Sequence, residues 1–254
     1  IIDVLHEDAL DEQPFDNIVD AKGNYLIPGI IDDHVHFREP GLTYKADIFS
    51  ESRAAVAGGV TSYMDMPNTN PQTTTIEALE EKFRIAQEKS IANYSFYFGA
   101  TNNNSHILSS LDNRNICGIK LFMGSSTGNM LVDRKEVLNN IFKNSNMIIA
   151  AHCEEQSVIS KNSAFYKKYF GEDVDIKYHP LIRSEEACFA STALAIELAK
   201  ENDARLHILH LTTEKELSLL EDKPLSNKLI TAEACIAHLL FSDEDYKRLG
   251  SLIK

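Results

Sequence analysis

Short apolar runs recur along the chain, and they predict β-strands. Each is rich in β-branched, aromatic and aliphatic residues, and each is bounded by polar or turn-forming segments. The seven runs cover residues 27–37, 60–66, 94–99, 116–123, 147–151, 206–211 and 228–232. Because the runs are short and almost continuously apolar, we expect strands buried inside a sheet.

Between several of these runs, apolar residues recur at helical spacing. The three clearest segments cover residues 75–89, 134–143 and 184–200. Thr75 precedes Glu77 and is placed to cap the first of these helices. Strands that alternate with helices predict a parallel sheet with crossover helices. The predicted fold class is therefore α/β, with the architecture of a (β/α)8 barrel.

Seven runs are one fewer than a closed (β/α)8 barrel requires, and such barrels usually need about 250 residues or more. We therefore expect residues 27–254 to form an incomplete barrel that lacks strand eight. The sequence also opens within a pattern and without a methionine. The expectation is a piece of a longer protein.

Composition narrows the class of protein without identifying it. The chain has 254 residues, of which 43% are hydrophobic, so it can bury a large core. Its 25 basic and 38 acidic side chains give a net charge of −13, which argues against a nucleic-acid partner. No apolar run approaches the roughly 18–20 residues that span a membrane. Four widely spaced cysteines without a C-x-x-C pair predict reduced thiols in the cytoplasm.

The first strand ends in two histidines. His34 and His36 are two residues apart, so on a strand they share one face and can reach the same metal ion. An H-x-H pair alone is a weak indication, because two polar residues on a solvent-facing strand give the same pattern. The preceding run IPGII is too apolar for that interpretation.

Other strands also deliver polar side chains where they end, which is where the active sites of parallel barrels lie. Asn68 follows the second strand in a Pro-Asn turn, and His152 ends the fifth. Lys120 lies inside the apolar fourth strand, where it is either buried and neutral or extended outward from an edge strand. In the sixth strand, His207 and His210 are three residues apart. We expect His210 to face the site and His207 to face the helical layer.

Imidazoles suit zinc and similar divalent ions. Four histidines and a lysine exceed what one tetrahedral ion needs, so two ions are plausible, with an anion between them. A neutral lysine amine can react with carbon dioxide to give a carbamate, which is such an anion. The predicted metal ligands are His34, His36, Lys120, His152 and His210.

Five stretches together resemble the amidohydrolase superfamily and, within it, the dihydroorotases. They are PGIIDDHVHFREPG, GGVTSYMDMPNTNP, GIKLFMGSSTGNM, AAHCEE and LHILHLTT, in the family's order. The first motif is shared with allantoinases, whereas MPNT is typical of dihydroorotases. Hydantoinase-like enzymes lack the arginine that follows H-x-H.

The resemblance implies a barrel with a binuclear zinc site, in which Lys120 as a carbamate bridges the two ions. His34 and His36 would hold the more buried ion, and His152 and His210 the second. In these enzymes, an arginine and an asparagine that match two positions of this chain bind the carboxylate of the substrate. Those positions are Arg38 and Asn68.

The implied reaction is the reversible hydrolysis of L-dihydroorotate to N-carbamoyl-L-aspartate in pyrimidine biosynthesis. The family's general base is an aspartate after strand eight, beyond Lys254, so no catalytic base is assigned here. Residues 1–26 would form part of the family's small β domain. The alternatives are an allantoinase, a dihydropyrimidinase or a non-catalytic paralogue. A small substrate with a carboxylate is the expected partner, and a homodimer is left open.

Overall fold

Seven parallel strands form one sheet in which every strand lies beside its neighbours in the chain. The structure is a computed structural model and describes residues 16–124 and 129–253. The strands are β1 (Ile30–Val35), β2 (Val60–Asp65), β3 (Asn93–Gly99), β4 (Ile116–Phe122), β5 (Ile149–His152), β6 (Leu206–Ile208) and β7 (Ile230–Ala232). Each coincides with one predicted run, so the α/β class and the strand count are confirmed.

Helices follow every strand except β3, and several of the longer ones pack against the outer face of the sheet. They are α1 (Ile48–Ala57), α2 (Ile76–Lys89), α3 (Lys135–Asn144), α4 (Gln156–Phe170), α5 (His179–Ile182), α6 (Glu185–Glu201), α7 (Glu214–Leu217), α8 (Ile236–Leu240) and α9 (Tyr246–Leu249). The three predicted helices correspond to α2, α3 and α6. Thr75 caps α2 as predicted, since its hydroxyl accepts a hydrogen bond from the Ala78 amide at 3.2 Å.

The sheet is curled, because side chains of early and late strands meet across its concave face. The Tyr97 hydroxyl of β3 donates to the Asp33 carbonyl of β1 at 3.1 Å. His34 of β1 contacts Glu233, which directly follows β7. Within the described ranges, β1 pairs only with β2 and β7 only with β6. The result is an open barrel of seven strands.

The main apolar core lies between the convex face of the sheet and the helices. Ile119, Ile149 and Leu206 are register neighbours on adjacent strands and are fully buried. They pack in one cluster with Ile141 of α3 and Ala195 of α6. This core fixes the strands, and the polar side chains described below project from the opposite face.

Some expectations concern the ends and the surface of the chain. Residues 16–26 form no strand, and residues 1–15 lie outside the described part, so the small β domain stays a prediction. The four cysteines are free. Among the helices of the described part, none is both long and apolar enough to cross a membrane.

Candidate metal centre

Four imidazoles and one amine gather at the carboxyl ends of β1, β4, β5 and β6. The ring centroids of His34 and His36 are 5.2 Å apart, and those of His34 and His210 are 5.5 Å apart. His152 and His210 are closer, at 4.7 Å. Lys120 belongs to the same group, because its ammonium lies 4.3 Å from the centroid of the Phe122 ring, which is 6.0 Å from the centroid of His152. The structure thus brings the five predicted ligands together.

Lys120 is buried in the middle of the sheet, with 1% of its surface exposed. Its ammonium lies 4.3 Å from the centroid of the Phe122 ring. Burial lowers the pKa of Lys120 to about 7, because the charged form loses its hydration. A large fraction of the amine is therefore neutral at neutral pH, and the neutral amine is the form that reacts with carbon dioxide.

His36 is joined to the predicted substrate-binding residue Asn68. Its Nδ1–H donates to the Asn68 side-chain oxygen, at a distance of 2.8 Å. Burial, followed by the nearby charge of Arg38, lowers the pKa of His36 to about 3, so the ring is neutral. The other ring nitrogen, Nε2, carries the lone pair that a metal ion needs. The Asn68 amide nitrogen is the group that can donate to a carboxylate.

His34 is joined to Glu233, a residue that the sequence analysis did not single out. His34 Nδ1 lies 2.5 Å from Glu233 Oε1, which also accepts a hydrogen bond from the His210 amide at 2.9 Å. Although burial opposes it, hydrogen bonds from His207 and His34 hold the pKa of Glu233 well below its usual range. Glu233 is therefore a carboxylate that orients one ligand ring and one ligand backbone. The signal in the sequence that could have identified Glu233 was its position directly after a predicted strand.

His152 contacts a carboxylate on one side and another imidazole on the other. Its Nε2–H donates to Glu154 at 2.7 Å, and Glu154 in turn accepts from the Arg183 guanidinium. Its Nδ1 lies 2.8 Å from His210 Nε2. Burial lowers the pKa of both rings. Because Glu154 accepts from Nε2 of His152, Nδ1 carries the lone pair, and it faces Nε2 of His210, so one ion could contact both rings.

The prediction that His207 faces the helical layer is wrong. His207 lies in the same register row as Lys120 and Thr231, so it points to the concave face. Its Nδ1 lies 2.8 Å from the Thr231 hydroxyl and its Nε2 3.2 Å from Glu233. The expectation assumed strict alternation between His207 and His210. His210 departs from it, because its φ of +40° is left-handed.

Arg38 and Asn68 flank the cluster. Arg38 is half-buried two residues after His36, and its backbone has a φ of +64°, which turns the chain sharply at the end of β1. Its charge contributes to the lowered pKa of His36. Asn68 touches the same ring directly. The two groups predicted to bind a carboxylate therefore lie beside the same imidazole.

The donor chemistry fits divalent ions of the zinc type. The imidazoles of His36, His152 and His210 have lowered pKa values and are neutral, as metal binding requires. Carboxylate or amide oxygens hold one ring nitrogen of His34, His36 and His152, the arrangement usual for metal-binding histidines. A neighbouring group also offers ligand atoms within 4.8 Å of one another, and its members are Asp33, His207 and Glu233.

Comparison with known proteins agrees with this fold. The model of the amidohydrolase family matches residues 25–244. A dihydroorotase of Methanosphaera stadtmanae is 32% identical over 94% of this chain and 54% of its own length. An allantoinase of Bacillus velezensis is 30% identical over 94% of this chain and 53% of its own. The chain spans about half the length of the curated relatives it matches.

Solved structures support the same fold. The L-hydantoinase (dihydropyrimidinase) of Arthrobacter aurescens superposes with a TM-score of 0.85 at 24% identity. The match covers 93% of this chain and 53% of the hydantoinase, and at this identity it supports the architecture alone. The family assignment rests on the sequence match to residues 25–244. The chain belongs to the amidohydrolase family.

Proposed function

We propose that the protein is a dihydroorotase, which hydrolyses L-dihydroorotate reversibly to N-carbamoyl-L-aspartate in pyrimidine biosynthesis. The observation that carries the proposal is the contact of Asn68 with His36, with Arg38 two residues further along the chain at the same end of the sheet. Dihydroorotate has a carboxylate on its ring, whereas allantoin, hydantoin and dihydrouracil have none. A guanidinium binds a carboxylate through two parallel hydrogen bonds, and an amide N–H adds a third donor.

Two zinc ions are part of the proposal. His34 and His36 would hold one and His152 and His210 the other, with Lys120 as a carbamate between them. When bound, the ions supply Lewis-acid activation of water and of the ring carbonyl. The chain itself orients the ligands, because Glu233, Asn68 and Glu154 each hold one ring nitrogen.

The remaining chain residues bind the substrate. Arg38 and Asn68 would grip the carboxylate and so hold the scissile amide against the histidine cluster, which lowers the entropic cost of reaching the transition state. No general base is assigned among the residues of this chain. A proton acceptor is still required, since the attacking water must lose a proton and the leaving nitrogen must gain one.

A cyclic amidohydrolase for an uncharged ring is the second candidate. It is favoured by the 30% identity to an allantoinase and by the fold shared with a hydantoinase. A non-catalytic paralogue is less well supported, because a protein released from catalysis has no reason to keep five converging ligands. The net charge of −13 and the four free cysteines support a cytoplasmic protein without a nucleic-acid partner. A homodimer stays open.

The test is turnover by the full-length protein after loading with zinc. Initial rates are compared for dihydroorotate, allantoin, hydantoin and dihydrouracil, with bound metal measured by elemental analysis. We expect dihydroorotate to have the highest kcat/KM, with two zinc ions bound per chain. Preferred turnover of a ring without a carboxylate would transfer the assignment to the second candidate. Absence of metal and of all four activities would favour the paralogue.

A further inference from the structure

A buried ion pair lies behind the proposed substrate-binding residues. Asp65 is the last residue of β2 and Lys82 lies in the middle of α2. Lys82 Nζ is 2.7 Å from Asp65 Oδ2, and both side chains are completely buried. Burying two charges costs several kcal/mol per ion, and apolar residues at such positions are often as stable. We therefore expect this pair to have a role other than stabilising the fold.

Asp65 holds the segment between His36 and Arg38. Its Oδ1 accepts a hydrogen bond from the Phe37 amide at 2.9 Å. Phe37 directly precedes the left-handed turn at Arg38 and packs on Tyr63, with ring centroids 4.4 Å apart. The hydrogen bond fixes the peptide between His36 and Phe37, one residue before Arg38. A charged acceptor makes it stronger than a bond between neutral groups.

Lys82 holds the segment that leads to Asn68. Its ammonium donates to the Met66 carbonyl at 2.8 Å, two residues before Asn68. The same ammonium lies 4.9 Å from the centroid of the Phe96 ring, which shields it further from water. The Lys82 ammonium thus contacts both the Asp65 carboxylate and the Met66 carbonyl. An apolar pair could not bind either backbone group.

We propose that Asp65 and Lys82 are positioning residues that set the separation between Arg38 and Asn68, and thereby the preference for a carboxylated ring. The inference rests on the proposed function, since it assigns Arg38 and Asn68 to the substrate's carboxylate. Neither Asp65 nor Lys82 is one of the proposed metal ligands. Because Asp65 holds the peptide that follows His36, zinc content is measured together with substrate binding. A displacement of about 1 Å between binding groups costs up to roughly 100-fold in rate.

The test uses double variants that remove both charges and leave no buried charge unpaired. In Asp65→Asn/Lys82→Met, the Met66 carbonyl loses its donor and the Phe37 amide keeps only a neutral acceptor. In Asp65→Asn/Lys82→Gln, the donors and acceptors are kept without charge. Arg84→Met is the matched control, because Arg84 lies on α2 and its partners Glu81 and Glu88 are exposed.

For the zinc-loaded full-length protein, we expect the Met variant to raise KM for dihydroorotate about 10- to 100-fold with a much smaller change in kcat. The Gln variant should recover part of this loss, and Arg84→Met should match the wild type. Zinc content and slow turnover of dihydrouracil should not change. Hydrogen exchange of the Phe37 amide should accelerate in both double variants, because both replace the Asp65 carboxylate with a neutral acceptor, and not in Arg84→Met.

An unchanged KM in a folded Met variant would overturn the inference, and so would an equal loss for dihydrouracil. Loss of zinc, or failure of both double variants to fold, would also overturn it, since either shows a purely structural role. If the wild type does not hydrolyse dihydroorotate, the proposed function fails by itself. The exchange rate of the Phe37 amide then decides whether the ion pair holds the segment before Arg38.

Discussion

Single residues determine which ring nitrogen each histidine presents to the candidate centre. In His34 and His36, the partners Glu233 and Asn68 occupy Nδ1, so Nε2 is the nitrogen presented. In His152, the Glu154 carboxylate occupies Nε2, so Nδ1 is the nitrogen presented. A neutral imidazole has one donor and one acceptor nitrogen, so these contacts select the tautomer before any ion binds.

Arg38 is predicted to contribute to substrate binding and not to metal binding. Replacing it with Met removes a charge-assisted pair worth about 1.5–3 kcal/mol, or roughly 10- to 150-fold in KM for dihydroorotate. Zinc content should stay at the wild-type level. Steady-state kinetics and elemental analysis test both statements, with the exposed Arg114→Met as control. Unaltered kinetics would remove Arg38 from the site.

Lys120 is predicted to be indispensable for the metal centre. Lys120→Ala should lose most of the bound zinc and nearly all activity, because no anion then lies between the two ions. Added short carboxylic acids should restore a small part of both by occupying the bridging position. Zinc retained at the wild-type level in the variant would contradict the bridge, and so would a structure with two ions beside an unmodified amine.

Residue-level predictions from the sequence were strong where a motif existed and weak elsewhere. His34 and His36 could be paired from the H-x-H spacing, and their rings lie close together although His36 follows the end of β1. His207 could not be placed correctly, since nothing in LHILHLTT signals the left-handed backbone of His210. Glu233 could have been identified from the sequence, because it is the first polar residue after the seventh apolar run. It was missed because its partners come from other strands.

At the scale of elements, Glu233 joins the last strand to the first. It follows β7, and its carboxylate contacts His34 of β1 and the backbone of His210 after β6. Elements far apart in the chain therefore meet at one side chain. The orientation of His34 depends on where β7 ends.

Replacing Glu233 with Gln should weaken metal binding about 10- to 100-fold, the usual cost of losing an oriented partner of a ligand histidine. A neutral amide holds His34 less firmly and presents an N–H₂ group to either His34 or His207. Competition with a chelator measures the zinc affinity, and circular dichroism checks the fold. Glu221→Gln is the control, since Glu221 is about half exposed and pairs with Lys223. Equal affinities in wild type and variant would contradict the role.

Elements were predicted well because periodicity reports which face is buried. The α2 segment shows the limit of that method. Leu79 and Ala86 are buried as expected, but Lys82 between them is also completely buried. A lysine in a helix is normally predicted to be exposed to solvent. Only its partner Asp65, distant in sequence, makes this burial possible, and periodicity contains no information about such a partner.

At the scale of the whole molecule, the open barrel exposes apolar strand surface. Within the described ranges, β1 has a partner on one side only, and its residues Ile30 and Ile31 are 54% and 62% exposed. Unpaired, apolar strand edges promote association between chains. The 254-residue chain should therefore self-associate as its concentration rises.

Ile31→Lys should reduce that association, because a charge on an edge strand opposes pairing with another chain. The control is Ile91→Lys, which places the same charge at a site of similar exposure, 54%, outside the strands. Light scattering over a concentration series is the measurement. If both variants associate alike, association does not proceed through the edge of β1.

The hydrogen bond between His36 and Asn68 makes metal and substrate energetically interdependent. When the Asn68 amide donates to a carboxylate, its oxygen becomes a better acceptor, and His36 becomes a more basic ligand. Thermodynamic linkage then requires equal coupling in both directions. N-carbamoyl-L-aspartate should slow removal of zinc by a chelator. Zinc should lower the Kd of that ligand by the same factor by which the ligand lowers the Kd of zinc. Asn68→Ala should reduce this factor substantially, and independent affinities in the wild type would contradict the coupling.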